Sequence, residues 1–136
     1  MDFSKSMAVA ASGMRAQGER MRVIAENIAN ANSTSPVKGG EPYRRKIATV
    51  TASFDRELDA TLVTSAKPLP DKSDFKSQYD PGNPNADKQG YVKLPNVDSL
   101  VEIMDMREAQ RSYEADLSVM ESTKQMLAKT VDLLNK

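Results

Sequence analysis

Glu102, Asp105 and Glu108 recur at intervals of three, which puts three carboxylates on one face of a helix. Carboxylates so spaced can hold a divalent cation when a second helix answers them. No second motif matches, and the chain has no histidine, so the triplet reads as a solvated face with local ion pairs. Asp80, Asn83, Asn85 and Asp87 have the residue types of a calcium loop, but the spacing is wrong and no bidentate glutamate follows. Asx-turns account for them instead. Arg44, Arg45 and Lys46 form a basic run able to meet phosphate, and read more simply as cations on an exposed strand edge. Gly39-Gly40 lacks the Lys and Ser/Thr of a phosphate loop. With no histidine and no cysteine, the commonest general base, metal ligand and thiolate nucleophile are all missing. No catalytic, metal or cofactor-binding residue is assigned, no cofactor is expected, and the chain does not read as an enzyme.

One stretch still asks for an explanation. "AENIANANST", from Ala25 to Thr34, closes a strongly patterned segment with three asparagines. Asparagine is a poor helix-interior residue because its amide competes for nearby backbone groups. Asn30 and Asn32 stand where a helix must stop, and asparagine tolerates the left-handed conformation common at helix C-termini. The amides could also bond the backbone of the segment leading into a second helix, or of a neighbouring subunit.

The elements around these residues follow from spacing. Phe3, Met7, Ala10, Met14, Gln17, Met21, Ile24, Ile28 and Ala31 alternate steps of four and three, a heptad seam with one polar interruption. Ile103, Met106, Gln110, Tyr113, Leu117, Met120, Lys124, Leu127, Val131 and Leu134 do the same near the other end. Leu100, Val101 and Met104 widen that stripe, and Ser99 with Glu102 has the spacing of a capping box. Between the two lies a segment holding all 7 prolines. There Tyr43–Phe54 is rich in β-branched residues and predicts a strand; Thr61–Ser65 and Asp74–Asp80 are weaker strand candidates, and Asp80–Gly90 is a turn-rich connection. The expected fold is mainly α: residues 1–35 and 96–136 form long helices paired as an antiparallel coiled-coil hairpin, with 36–95 a small irregular β-containing arm inserted between them. A two-helix seam with a thin arm has little core for a free monomer, so the sequence asks for partners.

Composition narrows those partners. Nineteen basic residues balance 19 acidic ones, which argues against a nucleic-acid binder. No apolar run is long enough to span a bilayer. Ala8-Val9-Ala10 has the small residues of a cleavage site, yet the stretch is short, lacks leucine and soon meets Arg15, so it reads as the first turns of an amphipathic helix.

"VIAENIANANS" (Val23–Ser33) resembles the N-terminal signature of the flagellar basal-body rod and axial protein family, whose motif is matched by Asn27, Ile28, Ala29 and Asn30. "MREAQRSYEADLSVMESTKQML" (Met106–Leu127) is similar to the family's terminal helix, and "YDPGNPNADKQGYVKLPNVD" (Tyr79–Asp98) to the linker of its C-type proximal members. The resemblance spans nearly the whole chain and is weakest from Asp55 to Gln78. It implies a structural subunit of the basal-body rod, a periplasmic drive shaft linking rotor to hook. It also implies export through the flagellar type III apparatus without a cleaved signal peptide. The implied partners are other proximal and distal rod proteins, copies of the chain in a helical assembly, and the export apparatus. The seam residues Phe3, Met7, Met14, Met21, Ile24, Ile28, Ile103, Met106, Tyr113, Leu117, Met120, Leu127, Val131 and Leu134 are then the expected assembly surface. The alternative reading is a soluble helical adaptor or chaperone acting through the same seam.

Overall fold

A computed structural model describes residues 2–135. Two long helices bracket two small sheets in the order α1 (Phe3–Ala29), β1 (Lys46–Asp55), β2 (Ala60–Pro70), β3 (Lys76–Tyr79), β4 (Tyr91–Leu94), α2 (Ser99–Leu134). Each sheet has two strands, β1 with β2 and β3 with β4. The short strand β4 was not anticipated from sequence, since four residues of "YVKL" carry too little periodicity.

The helix starts are capped by aspartate. Asp2 Oδ1 accepts the N–H groups of Ser4 and Lys5 at 3.1 and 3.2 Å. Asp98 Oδ1 accepts that of Leu100 at 3.0 Å, so Asp98 takes the role expected of Ser99, and the Glu102 side chain is engaged elsewhere. At the C-terminus of α1, Asn30 Nδ2 donates to the Glu26 carbonyl at 2.8 Å. Neither Asn30 nor Asn32 is left-handed; among the described residues Asp59 is the one non-glycine with positive φ. The helix therefore ends through a side-chain amide rather than through a left-handed turn.

The chain folds as two compact units. The first comprises Met1–Met21, Thr49–Lys67 and Arg107–Lys136. Within it α1 and α2 approach closely: a Cβ at Gly13 would lie 2.4 Å from Asp116 Oδ2, so any side chain there would push that carboxylate aside. Arg20 pairs with Glu108 at 3.4 Å. The β1–β2 hairpin docks on α1 through Ser12, whose hydroxyl accepts the Val63 N–H at 3.1 Å and donates to the Val9 carbonyl at 2.7 Å. Both hydroxyl functions are satisfied, which lets Ser12 be buried beside Ala10 and Ala16.

The second unit comprises Arg22–Ala48 and Pro68–Met106. Its β3–β4 hairpin is antiparallel with Ser77 opposite Lys93 and Tyr79 opposite Tyr91, the two tyrosine rings packing edge to face at 5.3 Å. Gly90 ends the connecting loop at φ +84°, and a Cβ there would meet the Tyr79 ring at 2.9 Å. Val23, Ile24, Val92, Pro95 and Val97 form an apolar core. The largest fully buried side chain is a charged one, Glu102.

Candidate functional site

Asn27 lies on the last turns of α1 and is buried. Its Nδ2 donates to the Lys46 carbonyl at 2.8 Å and to Glu102 Oε2 at 3.1 Å. Its Oδ1 accepts the Lys46 N–H at 2.9 Å and the Tyr43 hydroxyl at 2.8 Å. The amide thus grips both backbone groups of the first residue of β1, as a neighbouring strand would, and uses all four of its hydrogen-bonding positions.

Glu102 comes from the first turns of α2 and is fully buried. Its second oxygen accepts a short hydrogen bond from Arg45 Nε. The Arg45 guanidinium also reaches Asp71 at 3.2 Å and Asp105 at 3.7 Å. Asn96 Oδ1 holds the Arg45 N–H at 2.8 Å, and its amide donates to Asp71 and Ser73. Lys46 pairs with Glu26, and Arg44 lies over the Phe75 ring at 4.2 Å. Two expectations are corrected here. Glu102 is not on a solvated face, and Arg45 is not an exposed edge cation: each desolvated charge has found an opposite one. Glu108, by contrast, is exposed. Among the described residues no acidic group is arranged to hold a metal ion.

The electrostatics follow from this packing. Burial, and then the carboxylates of Glu26 and Glu102, push the Tyr43 phenol up to about 12. Burial pulls the Arg45 guanidinium down, but hydrogen bonds and charge from Glu102 and Asp71 outweigh it and leave the group raised. The Asp71 carboxyl is lowered, first by the Ser73 N–H, then by the Ser73 hydroxyl, with Arg45 adding to both. The cluster encloses no nucleophile beside a base; it fastens α1, β1 and α2 within one unit.

Of the four motif residues, Asn27 is the centre of this cluster, Asn30 caps its helix, Ile28 is half-buried and Ala29 is exposed. Tyr43, Arg45, Lys46 and Glu102 were missed as a group. The one sequence signal was that Glu102 sits between Val101 and Ile103 and in heptad step with Met106 and Tyr113.

The seam residues divide. Ile24 is buried, and Phe3, Met7, Met14, Met21 and Ile28 are half-buried on α1. On α2, Met106, Tyr113 and Met120 are half-buried, and Met14, Tyr113 and Met120 line one shared hollow. Ile103, Leu117, Leu127, Val131 and Leu134 are exposed, at 44, 37, 39, 47 and 81%. The covered line on α2 runs one residue earlier, through Glu102, Ala109 and Thr123 with Asp116 half-covered. No helix among the described residues is long and apolar enough to cross a membrane.

Comparison with known proteins identifies the lineage. A family model described as "Flagella basal body rod protein" matches residues 7–35, and one described as "Flagellar basal body rod FlgEFG protein C-terminal" matches residues 88–133. The chain is 47% identical over 132 residues to the flagellar basal-body rod protein FlgC of Agrobacterium fabrum, covering 97% of this chain and 95% of the relative. It is 37% identical to the FlgC of Aquifex aeolicus, covering 97% of each, and 40% identical to that of Salmonella typhimurium, covering 92% of each. The first family model ends just past the asparagine-rich end of α1 that holds Asn27, and the second spans β4 and nearly all of α2. The chain belongs to the FlgC family of flagellar basal-body rod proteins, which are structural proteins and not enzymes.

Proposed function

We propose that this rod protein is a torque-bearing subunit of the proximal rod, in the periplasmic shaft between rotor and hook. In this reading residues 1–35 and 96–136 form the axial core as an antiparallel coiled coil, and 36–95 is an arm that meets neighbours. Two contacts support the antiparallel sense: Gly13 lies beside Asp116 and Arg20 beside Glu108, so positions rise on α1 as they fall on α2. The partners are copies of the chain and other proximal and distal rod proteins, reached after export through the flagellar apparatus without a cleaved signal peptide. Asn27 with its motif neighbours Ile28, Ala29 and Asn30 keeps the arm's first strand at a set place on α1.

The observation that carries the proposal is the open apolar stripe of α2. Leu117, Leu127, Val131 and Leu134 are exposed in the single chain, together with Leu133 at 73%. Such a stripe on a solvated helix is what a neighbouring helix would cover. Leu117→Asp and Leu127→Asp are expected to abolish incorporation into basal bodies and swimming, because a carboxylate would be desolvated without a partner. Normal rods and swimming in both variants would overturn the assignment of this face. Fractionation separates the rod reading from a soluble adaptor: a rod subunit co-purifies with basal bodies, an adaptor does not.

A further inference from the structure

The β3–β4 hairpin carries a groove of about 600 Å³ on one face. Ser77 and Lys93, cross-strand partners, form its floor with Tyr91; the turn around Ser35–Gly40 and the loop around Asn85–Lys88 form its walls. Three exposed lysines, Lys38, Lys88 and Lys93, converge on it. Asp87 is the one carboxylate in the lining, and its Oδ1 already accepts the N–H groups of Gln89 and Tyr91 at 2.8 and 2.9 Å. Lys5, Arg20, Arg45 and Lys46 each pair with a carboxylate; among the described residues none of the three groove lysines forms an ion pair.

The chain as a whole is neutral, so a cationic surplus here implies an acidic surplus elsewhere on an identical surface. The turn between β1 and β2 supplies one: Asp55 and Glu57 stand against Arg56, while Asp59 is already paired with Lys5 at 2.9 Å. The turn is held in shape by Asp55 Oδ1, which accepts the N–H groups of Glu57 and Leu58 at 2.9 and 3.1 Å. Glu57 is exposed and, among the described residues, unpaired.

We propose that the groove receives the Asp55–Asp59 hairpin tip of a second copy, with Asp55 and Glu57 against Lys38, Lys88 and Lys93. Groove and tip are different patches, so the contact is heterologous and repeats from copy to copy instead of closing on itself. The inference rests on the reading that copies of the chain are neighbours in the rod.

The chain has no cysteine, so introduced thiols are unique. Cells lacking their own copy of the chain would express E57C and K88C together, and basal bodies would be treated with a short bismaleimide. A cross-linked dimer is expected only when both variants are present. Both variants in basal bodies without a dimer would overturn the contact and leave the rod reading standing. Absence of the unmutated chain from basal bodies would overturn both. Charge reversal gives a second readout if either thiol variant fails to assemble. K88E/K93E and D55K/E57K are each expected to cut swimming-halo diameter by at least half, and the four changes in one chain to restore it. Normal swimming in both reversed variants, or no recovery in the combined one, would overturn the contact.

Discussion

Asn27 donates a hydrogen bond to Glu102 at 3.1 Å across 75 residues of sequence. One amide therefore ties the end of the first helix to the start of the last, and the same amide holds Tyr43 and both backbone groups of Lys46.

Asn27→Ala strips partners from a buried carboxylate, a phenol and a backbone pair at once. Breaking such a network costs about 3–5 kcal/mol. Urea unfolding followed by circular dichroism is expected to show it as a lowered midpoint with unchanged slope. Asn27→Asp is expected to be worse than Ala, because it sets a second carboxylate against Glu102.

Glu102→Leu leaves the partly buried Arg45 with only Asp71 and Asp105, and Arg45→Met leaves the fully buried Glu102 without its charge partner. Each single change is expected to cost roughly 2–5 kcal/mol, and the double change less than the sum. Strict additivity would mean the pair is not coupled.

The two glycines of α1 make contrasting predictions. Gly18 has open space where a Cβ would go, so Gly18→Ala is expected to stabilise by about 0.5–1 kcal/mol. Gly13→Ala must push the Asp116 carboxylate aside and is expected to forfeit that gain, with Asp116→Ala in the same chain recovering it. Thermal unfolding of the three variants decides it.

The cluster sets both ends of the pH range. The Tyr43 phenol is raised from an unfolded value of about 10, so its contribution is intact below that pH and is lost as pH rises towards about 12. Asp71 is lowered, so its contribution is present above the unfolded carboxylate value of about 4 and is lost as pH falls below it. Tyr43→Phe is expected to flatten the alkaline limb of a stability–pH curve and Asp71→Asn the acid limb.

In the free chain, residues 124–134 of α2 are exposed throughout. Their amides are expected to exchange rapidly in the isolated protein and to become protected in assembled rods. Strong protection in the dilute monomer would contradict this.

Both helices were legible because their apolar residues repeat in heptads, and β1 because its residues are β-branched. The covered line of α2 was not. Ile103 and Leu117 outweigh Glu102 and Asp116 in any count of hydropathy, yet the latter pair is covered because Arg45 and the bare backbone at Gly13 make room for carboxylates. Arg45 is 57 residues from Glu102, so nothing local betrays the pairing. Asp98 pre-empted Ser99 as the cap for the same reason: the glutamate that would complete a capping box is occupied by a distant partner.

The spread of the Asn27 cluster along the chain also governs timing. Its members come from stretches around 27, 43–46, 71, 96 and 102, so the cluster cannot close until most of the chain is in place. Closing so wide a loop is slow, since chain entropy is lost before the contact returns anything. A polypeptide built this way stays pliable until late in folding, with the latch placed where premature setting is hardest.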